Sequence, residues 1–384
     1  TLLTEYYLAL NLLHPFREGN GRCEREFLRE YVLYLNPILP FQNVELDYTI
    51  YHKNIIEAEK KIFINNDSIG GLNIFNSTFE IYDFVFVDDC IEAFQLALFF
   101  KRDDFAMLFI KKAIANGFDL PLLKYLNLNY RSVGSGKRKY VTIFEDFIKK
   151  NSKELEAYSL EKFSFFLSRI DKNIYQRVLL NHVKEQLFKN GIHGLCENYK
   201  EQHIAFCKIN DDNLSYIDSL AQKGIYLGER NLGCNYDKLS NNLGGTTTYY
   251  LKKLVSYYQL NYRTTAPINT EEDYFGMGPL YNILFHNPRS YQTLLKYKDN
   301  AIKNGYWHPR EWISLKFNTT RGGEIPQNQD MHLETYTVKM LDTKLINEMR
   351  TENLLPTYEI DYAKYEFGQK NNLKLSFGFF NGTK

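Results

Sequence analysis

The chain reads as a mainly α-helical protein, with some mixed helix and strand character towards residue 384. Three observations predict this. Apolar residues recur at steps of three and four over most of the first 190 residues, the period of one buried helix face. Asn-Gly pairs at 116–117 and 190–191 close two of these stretches, as helix C-terminal signals do. Partial alternation, the mark of a strand, is confined to residues 332–341 (HLETYTVKML) and 372–380 (NLKLSFGFF).

The first element is a helix whose face carries Leu2, Leu3, Tyr6, Leu10 and Leu13. After an intervening loop, Leu28, Val32 and Leu35 continue the same period, with Phe27, Tyr31 and Tyr34 beside them. Pro37 follows Asn36 and ends this second helix, because proline disfavours the α conformation in the residue before it. Residues 51–63 (YHKNIIEAEKKIF) form a further helix that can close the local core.

The loop and the helix after it read HPFREGNGRCER, residues 14–25. Gly19, Asn20 and Gly21 make a turn whose backbone N–H groups can approach phosphate oxygens closely. A helix starting at Arg22 aims its free N–H groups and the positive end of its dipole at the same anion. Arg22 and Arg25 stand at i, i+3 on one face, so both guanidinium groups can reach a polyphosphate. Glu18 offers a hard oxygen donor to Mg²⁺, which takes one or two carboxylates plus phosphate oxygens and water. His14 can take a proton from an incoming hydroxyl at neutral pH. Phe16 reads as the apolar anchor of the loop. Taken singly, each of these residues suits a solvated turn or a helix surface; together they make a polyphosphate-handling set.

The string resembles the signature of the Fic (Fido) family, His-x-Phe-x-(Asp/Glu)-Gly-Asn-Gly-Arg-x-x-Arg, with every required position filled. The resemblance covers about residues 1–65 and implies the C-terminal part of a Fic helical domain. It implies transfer of AMP from ATP to a Ser, Thr or Tyr hydroxyl of a target protein, with His14 as general base. Glu18 then binds Mg²⁺; Gly19, Asn20 and Gly21 form the anion hole; Arg22 and Arg25 contact the outer phosphates. Transfer of UMP or phosphocholine, and a non-catalytic interaction protein that retains the loop, are the alternatives. In the family, helices and a β-hairpin precede the signature, so the resemblance implies an N-terminally truncated domain with weak transfer by this chain alone. The family's inhibitory Ser/Thr-x-x-x-Glu-Gly/Asn string has its nearest counterparts at Ser152–Glu156, followed by Ala157, and Thr320–Glu324, followed by Ile325; both lack the final residue.

Beyond residue 65, residues 66–80 (NDSIGGLNIFNSTFE) read as a boundary rich in Gly, Asn and Ser. Residues 88–119 read as a helix pair, with Ile91 to Phe100 a core helix that nevertheless contains Glu92 and Gln95. Ala93–Ala97 with Asn116–Asp119 resemble a degenerate ankyrin repeat, present as one clear copy; a plain helical hairpin is the alternative. The basic loop at 127–140 lacks the residues of a phosphate loop and reads as a linker. Residues 141–190 hold two or three bundle helices, with Leu160, Phe163, Phe166, Leu167 and Ile170 followed by Tyr175, Val178, Leu179, Val183 and Leu187 in period. His193, Cys196, His203 and Cys207 are spaced like zinc ligands, although His203 and Cys207 can equally share one helix face. From about 225, Gly and Pro punctuate shorter segments, among them Gly276, Gly278 and Pro279. His308, Arg310 and Glu311 lie between Trp307 and Trp312, where they read as surface packing or as a polar pocket. The organisation is thus 1–65, carrying the loop; 66–140, helical and ankyrin-like; 141–224, a helical bundle; and 225–384, mixed.

Composition narrows the function classes. Hydrophobic residues make up 44% and charged residues 24%, the balance of an ordinary globular protein, and 384 residues suffice for a sizeable core. A net charge of +1 gives no general attraction to nucleic acid. No run approaches the roughly eighteen apolar residues of a membrane span. Five cysteines without a framework pattern suit reduced thiols in a cytoplasm, either the producing cell's or that of a host receiving the protein as an effector. The helical accessory region is expected to bind protein.

Overall fold

The computed structural model describes residues 46–118, 142–189, 199–233, 253–254, 279–319, 343–371, 373 and 375. The chain divides into two units, Thr1–Leu46 and Asp47–Lys384. Of the first, only Leu46 lies among the described residues. The fold of the second is helical throughout those residues, with no strand among them. The two strand-like segments lie outside them, apart from Leu373 and Leu375, which are in no strand.

Helix α1 (Tyr48–Phe63) starts at Asp47, whose carboxylate accepts from the Thr49 N–H at 2.9 Å. Its buried face carries Tyr48, Tyr51, Ile55, Ala58 and Ile62, with His52 and Glu59 among them. Helix α2 (Ser68–Ile81) packs antiparallel to it after a short turn. Here the boundary expected at 66–80 is corrected: these residues are a helix capped by Asp67, which accepts from Gly70 N–H at 2.8 Å. The glycine content reflects close packing. A Cβ at Gly71 would stand 2.4 Å from Ile62 Cγ1 and 2.8 Å from the Ala58 carbonyl oxygen. Leu72, Phe75 and Phe79 then fill the space on the inner side of α2.

The helix pair expected at 88–119 is present as α3 (Val87–Phe99) and α4 (Asp103–Ala115). Helix α3 is buried on every side from Asp89 to Leu98, the condition of a central helix. Phe86 supplies no side-chain cap, and the Val87 N–H instead donates to Glu229 Oε1 at 2.8 Å, from 142 residues away. Two long helices follow, α5 (Thr142–Ser168) and α6 (Lys172–Lys189). Helix α5 buries Phe147, Leu155, Ser159 and Phe166; this register turns Leu160 outward, at 77% exposure, against its expected core position. Tyr175, Val178, Leu179, Val183 and Leu187 of α6 are all buried, as their period predicted. They join α7 (Tyr199–Ala221), the short α8 (Glu229–Leu232) and α9 (Pro279–Phe285) in one core.

Shorter elements complete the unit: α10 (Ser290–Leu294), a 3₁₀ turn (Leu295–Tyr297), α11 (Lys298–Lys303), α12 (Pro309–Thr319), α13 (Thr343–Glu352) and α14 (Tyr358–Asn371). Pro279 and Pro309 occupy first helical positions, where the missing N–H costs nothing. Helix α14 returns to pack on α1, and α11 also touches α1.

One helix ending recurs. Residues 113–118 read Ala-Ile-Ala-Asn-Gly-Phe, and residues 301–306 read Ala-Ile-Lys-Asn-Gly-Tyr. In each, the glycine takes positive φ (+99° at Gly117, +69° at Gly305) and the next residue's N–H bonds the carbonyl five residues back: Phe118 to Ala113 at 3.0 Å, Tyr306 to Ala301 at 2.9 Å. Gly224 and Leu354 close α7 and α13 the same way, through Ile225 to Leu220 at 3.0 Å and Leu355 to Arg350 at 2.9 Å. Lys101 (φ +57°) closes α3 in the same way, with Arg102 N–H to the Ala97 carbonyl at 2.8 Å, so this common helix ending appears five times among the described residues.

Candidate functional site

His14, Glu18, Gly19, Asn20, Gly21, Arg22 and Arg25 lie outside the described residues, as do the basic loop at 127–140 and His193 and Cys196. His203 and Cys207 are described. They face one another across one turn of α7, with Cys207 Sγ 3.7 Å from His203 Nε2 on the exposed side. Among the described residues, no group of three or more His, Cys, Asp or Glu side chains is placed to hold a metal ion.

The densest polar constellation in the described residues lies where α1, α3, α12, α13 and α14 meet. Helical spacing assembles it. Asp361 and Lys364 stand at i, i+3 on α14, Asp89 and Glu92 at i, i+3 on α3, and His52 and Glu59 at i, i+7 on α1. Lys364 Nζ donates to Glu59 Oε1 at 2.6 Å and also contacts Glu92 Oε2. Arg310 grips Asp361 with two bonds, at 2.9 and 3.1 Å, and stands 3.6 Å from Glu59. Arg350 reaches the same Asp361 carboxylate and donates through Nε to the Pro356 carbonyl. Three cations thus meet three carboxylates, and Glu59, Asp361, Arg350 and Lys364 are each at most 3% exposed.

Beside this sextet, Tyr51 OH donates to Asp89 Oδ2 at 2.8 Å, and His308 Nε2 lies 3.6 Å from Asp89 Oδ1. The His308 ring meets His52 edge-on at 5.0 Å and Phe86 at 4.9 Å. His308 and Arg310 are therefore part of a buried polar assembly, which corrects the surface-packing reading. Trp307 and Trp312 instead stack on one another, at 5.0 Å with 6° between their planes, within the apolar core.

The electrostatics follow from burial set against pairing. Burial alone would raise the Asp361 carboxyl, but Arg310 and Arg350 outweigh it and hold it well below the usual carboxylate range. Burial likewise depresses the Lys364 ammonium, and Glu59 and Glu92 reverse this. Burial raises Glu92, opposed by Lys364 and reinforced by Glu59. His52 is held neutral by burial and then by His308. Glu311, next in chain to Arg310, is pushed up to about 7 by burial.

Pairing is incomplete. Glu59 Oε2, Glu92 Oε1 and His52 Nε2 are buried without a hydrogen bond. Each such atom costs on the order of 1–3 kcal/mol. Chemically the sextet is charge-matched to itself, so it sets which helices meet and in what register while adding little net stability.

Two signals of this assembly are visible in the sequence: Glu92 interrupts the most apolar run of the chain, and Arg310 stands between two tryptophans. Glu59, Asp361 and Lys364 carry no local mark, since the Lys364–Glu59 contact spans 305 residues and the Arg310–Asp361 contact 51.

No protein-family model, curated protein or solved structure matches the chain.

Proposed function

We propose that this chain carries a Fic-type protein nucleotidyltransferase centre at residues 14–25 that moves AMP from ATP to a hydroxyl of a target protein. The observation that supports this reading is the complete string His14-Pro-Phe-Arg-Glu18-Gly-Asn-Gly-Arg22-Cys-Glu-Arg25, in which each residue type suits one task at its own spacing. In the proposed reaction, the target oxygen attacks the α-phosphorus in line and the bond to the β-phosphate bridging oxygen breaks. Pyrophosphate leaves, and His14 takes the hydroxyl proton. The amides of Gly19, Asn20 and Gly21, with Arg22 and Arg25, stabilise charge moving onto the leaving group. Glu18 provides one carboxylate, a donor that fits Mg²⁺ shared with phosphate oxygens; when bound, the ion neutralises polyphosphate charge. Partner protein would be engaged by the helical region.

The test is transfer from ATP labelled at the α-phosphate to protein in a cell extract, read by autoradiography and by mass spectrometry of the modified peptide. Labelling by the wild type that disappears with His14→Ala, at unchanged circular dichroism, supports the reading. Equal labelling by a well-folded His14→Ala protein rejects the assigned base. An increment of UMP or phosphocholine, when those donors are supplied instead, would redirect the assignment to that group. Extract binding that survives Glu18→Ala/Arg22→Ala, with no modification under any donor, would assign the chain to protein interaction.

A further inference from the structure

We infer that α14 is an ion-paired strap, a helix that docks onto α1 and α3 chiefly through buried charge and opens by itself while the rest of the unit stays folded. Three observations converge on it. First, α14 reaches its neighbours through Lys364 and Asp361, and the charges it meets come from every surrounding element: Glu59 of α1, Glu92 of α3, Arg310 of α12 and Arg350 of α13. Asp89 and His308 stand beside these groups. Second, among the described residues its apolar anchoring centres on two side chains. Phe367 meets the rings of Phe63, Phe99 and Phe100 at 5.5, 4.9 and 6.0 Å, and Ile360 is buried one turn before Lys364. Third, the docked state leaves Glu59 Oε2 and Glu92 Oε1 without hydrogen bonds, although their side chains are 2% and 5% exposed.

These features act in one direction. Desolvating ions offsets much of their mutual attraction, so buried ion pairs add little net stability compared with apolar contacts of similar size. Opening returns five buried charges and at least two unmet oxygens to water, completes the hydration of Arg310 and gives up few of the described apolar contacts. Helix α3 is the opposite case, since it cannot leave without exposing ten consecutive buried residues. The unit therefore contains a low-stability element fastened to its highest-stability one. Matched charge also fixes the register of docking, because a slip of one turn along α14 would set Asp361 against the carboxylates that Lys364 now bridges.

Native-state hydrogen exchange on the full chain, followed by mass spectrometry through a series of sub-denaturing urea concentrations, tests this. The expected result is that peptides of residues 358–371 exchange at least tenfold faster than peptides of residues 87–99, with a weaker urea dependence. Exchange of both segments at one rate with one urea dependence would overturn the inference. Two variants then read the cause. Lys364→Met, which leaves Glu59 and Glu92 without their cation, should speed exchange of 358–371 at least tenfold more. The charge-neutral pair Glu92→Met/Lys364→Met should slow it to or below the wild-type rate. Faster exchange in the pair than in Lys364→Met would show that the charges hold the helix rather than loosen it. Should either variant fail to fold, the wild-type comparison decides alone.

Discussion

Two polar assemblies, residues 14–25 and the sextet around Lys364, stand at opposite extremes of how a chain encodes chemistry. The first is contiguous: a possible base, a carboxylate, a glycine turn and two arginines fall within twelve positions. Its meaning depends on order and spacing, which a single sequence displays in full. The second is dispersed over five helices between residues 59 and 364, in three separate stretches of the chain. Its meaning depends on the fold. Under the proposed function the contiguous set meets a ligand from outside the protein, whereas the dispersed set is neutralised from within. A set of residue types can be written locally; a buried charge network has to be assembled by the fold.

The sharpest way to break this contrast is at His14. Substitution by alanine should cut transfer by at least about a hundredfold, as expected for loss of a general base, and should leave the melting temperature unchanged. A matching loss of stability would place His14 in a structural role like that of the sextet.

Next in size is Lys364→Met, which strands two buried carboxylates and should destabilise the protein by roughly 3–5 kcal/mol in urea titrations. Glu92→Met/Lys364→Met should recover most of that loss, and a double-mutant cycle isolates the pair. An additive result would mean the two groups are independent, contrary to their contact.

The third sharpens the comparison through pH. Glu311 titrates near 7 in the folded protein against an ordinary value of 4.5. A raised carboxyl contributes stability that is present below the unfolded value and lost as pH rises through the folded one. Glu311→Gln should thus match the wild type at about pH 4.5 and exceed it by roughly 2–3 kcal/mol at about pH 8. Equal stabilities at both ends would show that Glu311 is hydrated.

Gly305→Ala is a smaller test of the recurring helix ending. It places a Cβ at positive φ and 2.7 Å from the Tyr48 ring, and should cost about 1–3 kcal/mol. The smallest effect is expected from His203→Ala/Cys207→Ser, two exposed neighbours on α7. Their loss should leave stability within about 0.5 kcal/mol and bound zinc at the wild-type level, measured by elemental analysis.

Legibility followed the same division. The α3–α4 pair and the inward face of α6 were readable because helical period and burial act residue by residue. Residues 66–80 were misread because glycine has two physical uses. As a loop residue it supplies freedom, and at Gly71 it supplies proximity between α1 and α2, a distinction composition does not carry. Leu160 was placed inside by period alone, although Leu155, Ser159 and Phe166 set the buried stripe one position away. The ending shared by 113–118 and 301–306 is legible as an Asn-Gly pair after an apolar stretch, because positive φ at the glycine is a local demand. The chemistry expected of residues 14–25 rests on their order alone.

The carboxylate of Glu229 at the start of α3 carries a consequence for biosynthesis. During translation, residues 87–99 leave the ribosome long before residue 229 exists, so the central helix must wait with its first turn hydrated. Closure of that turn becomes a late step, and any stall between these two points exposes the greasiest segment of the molecule to chaperones or to other nascent chains.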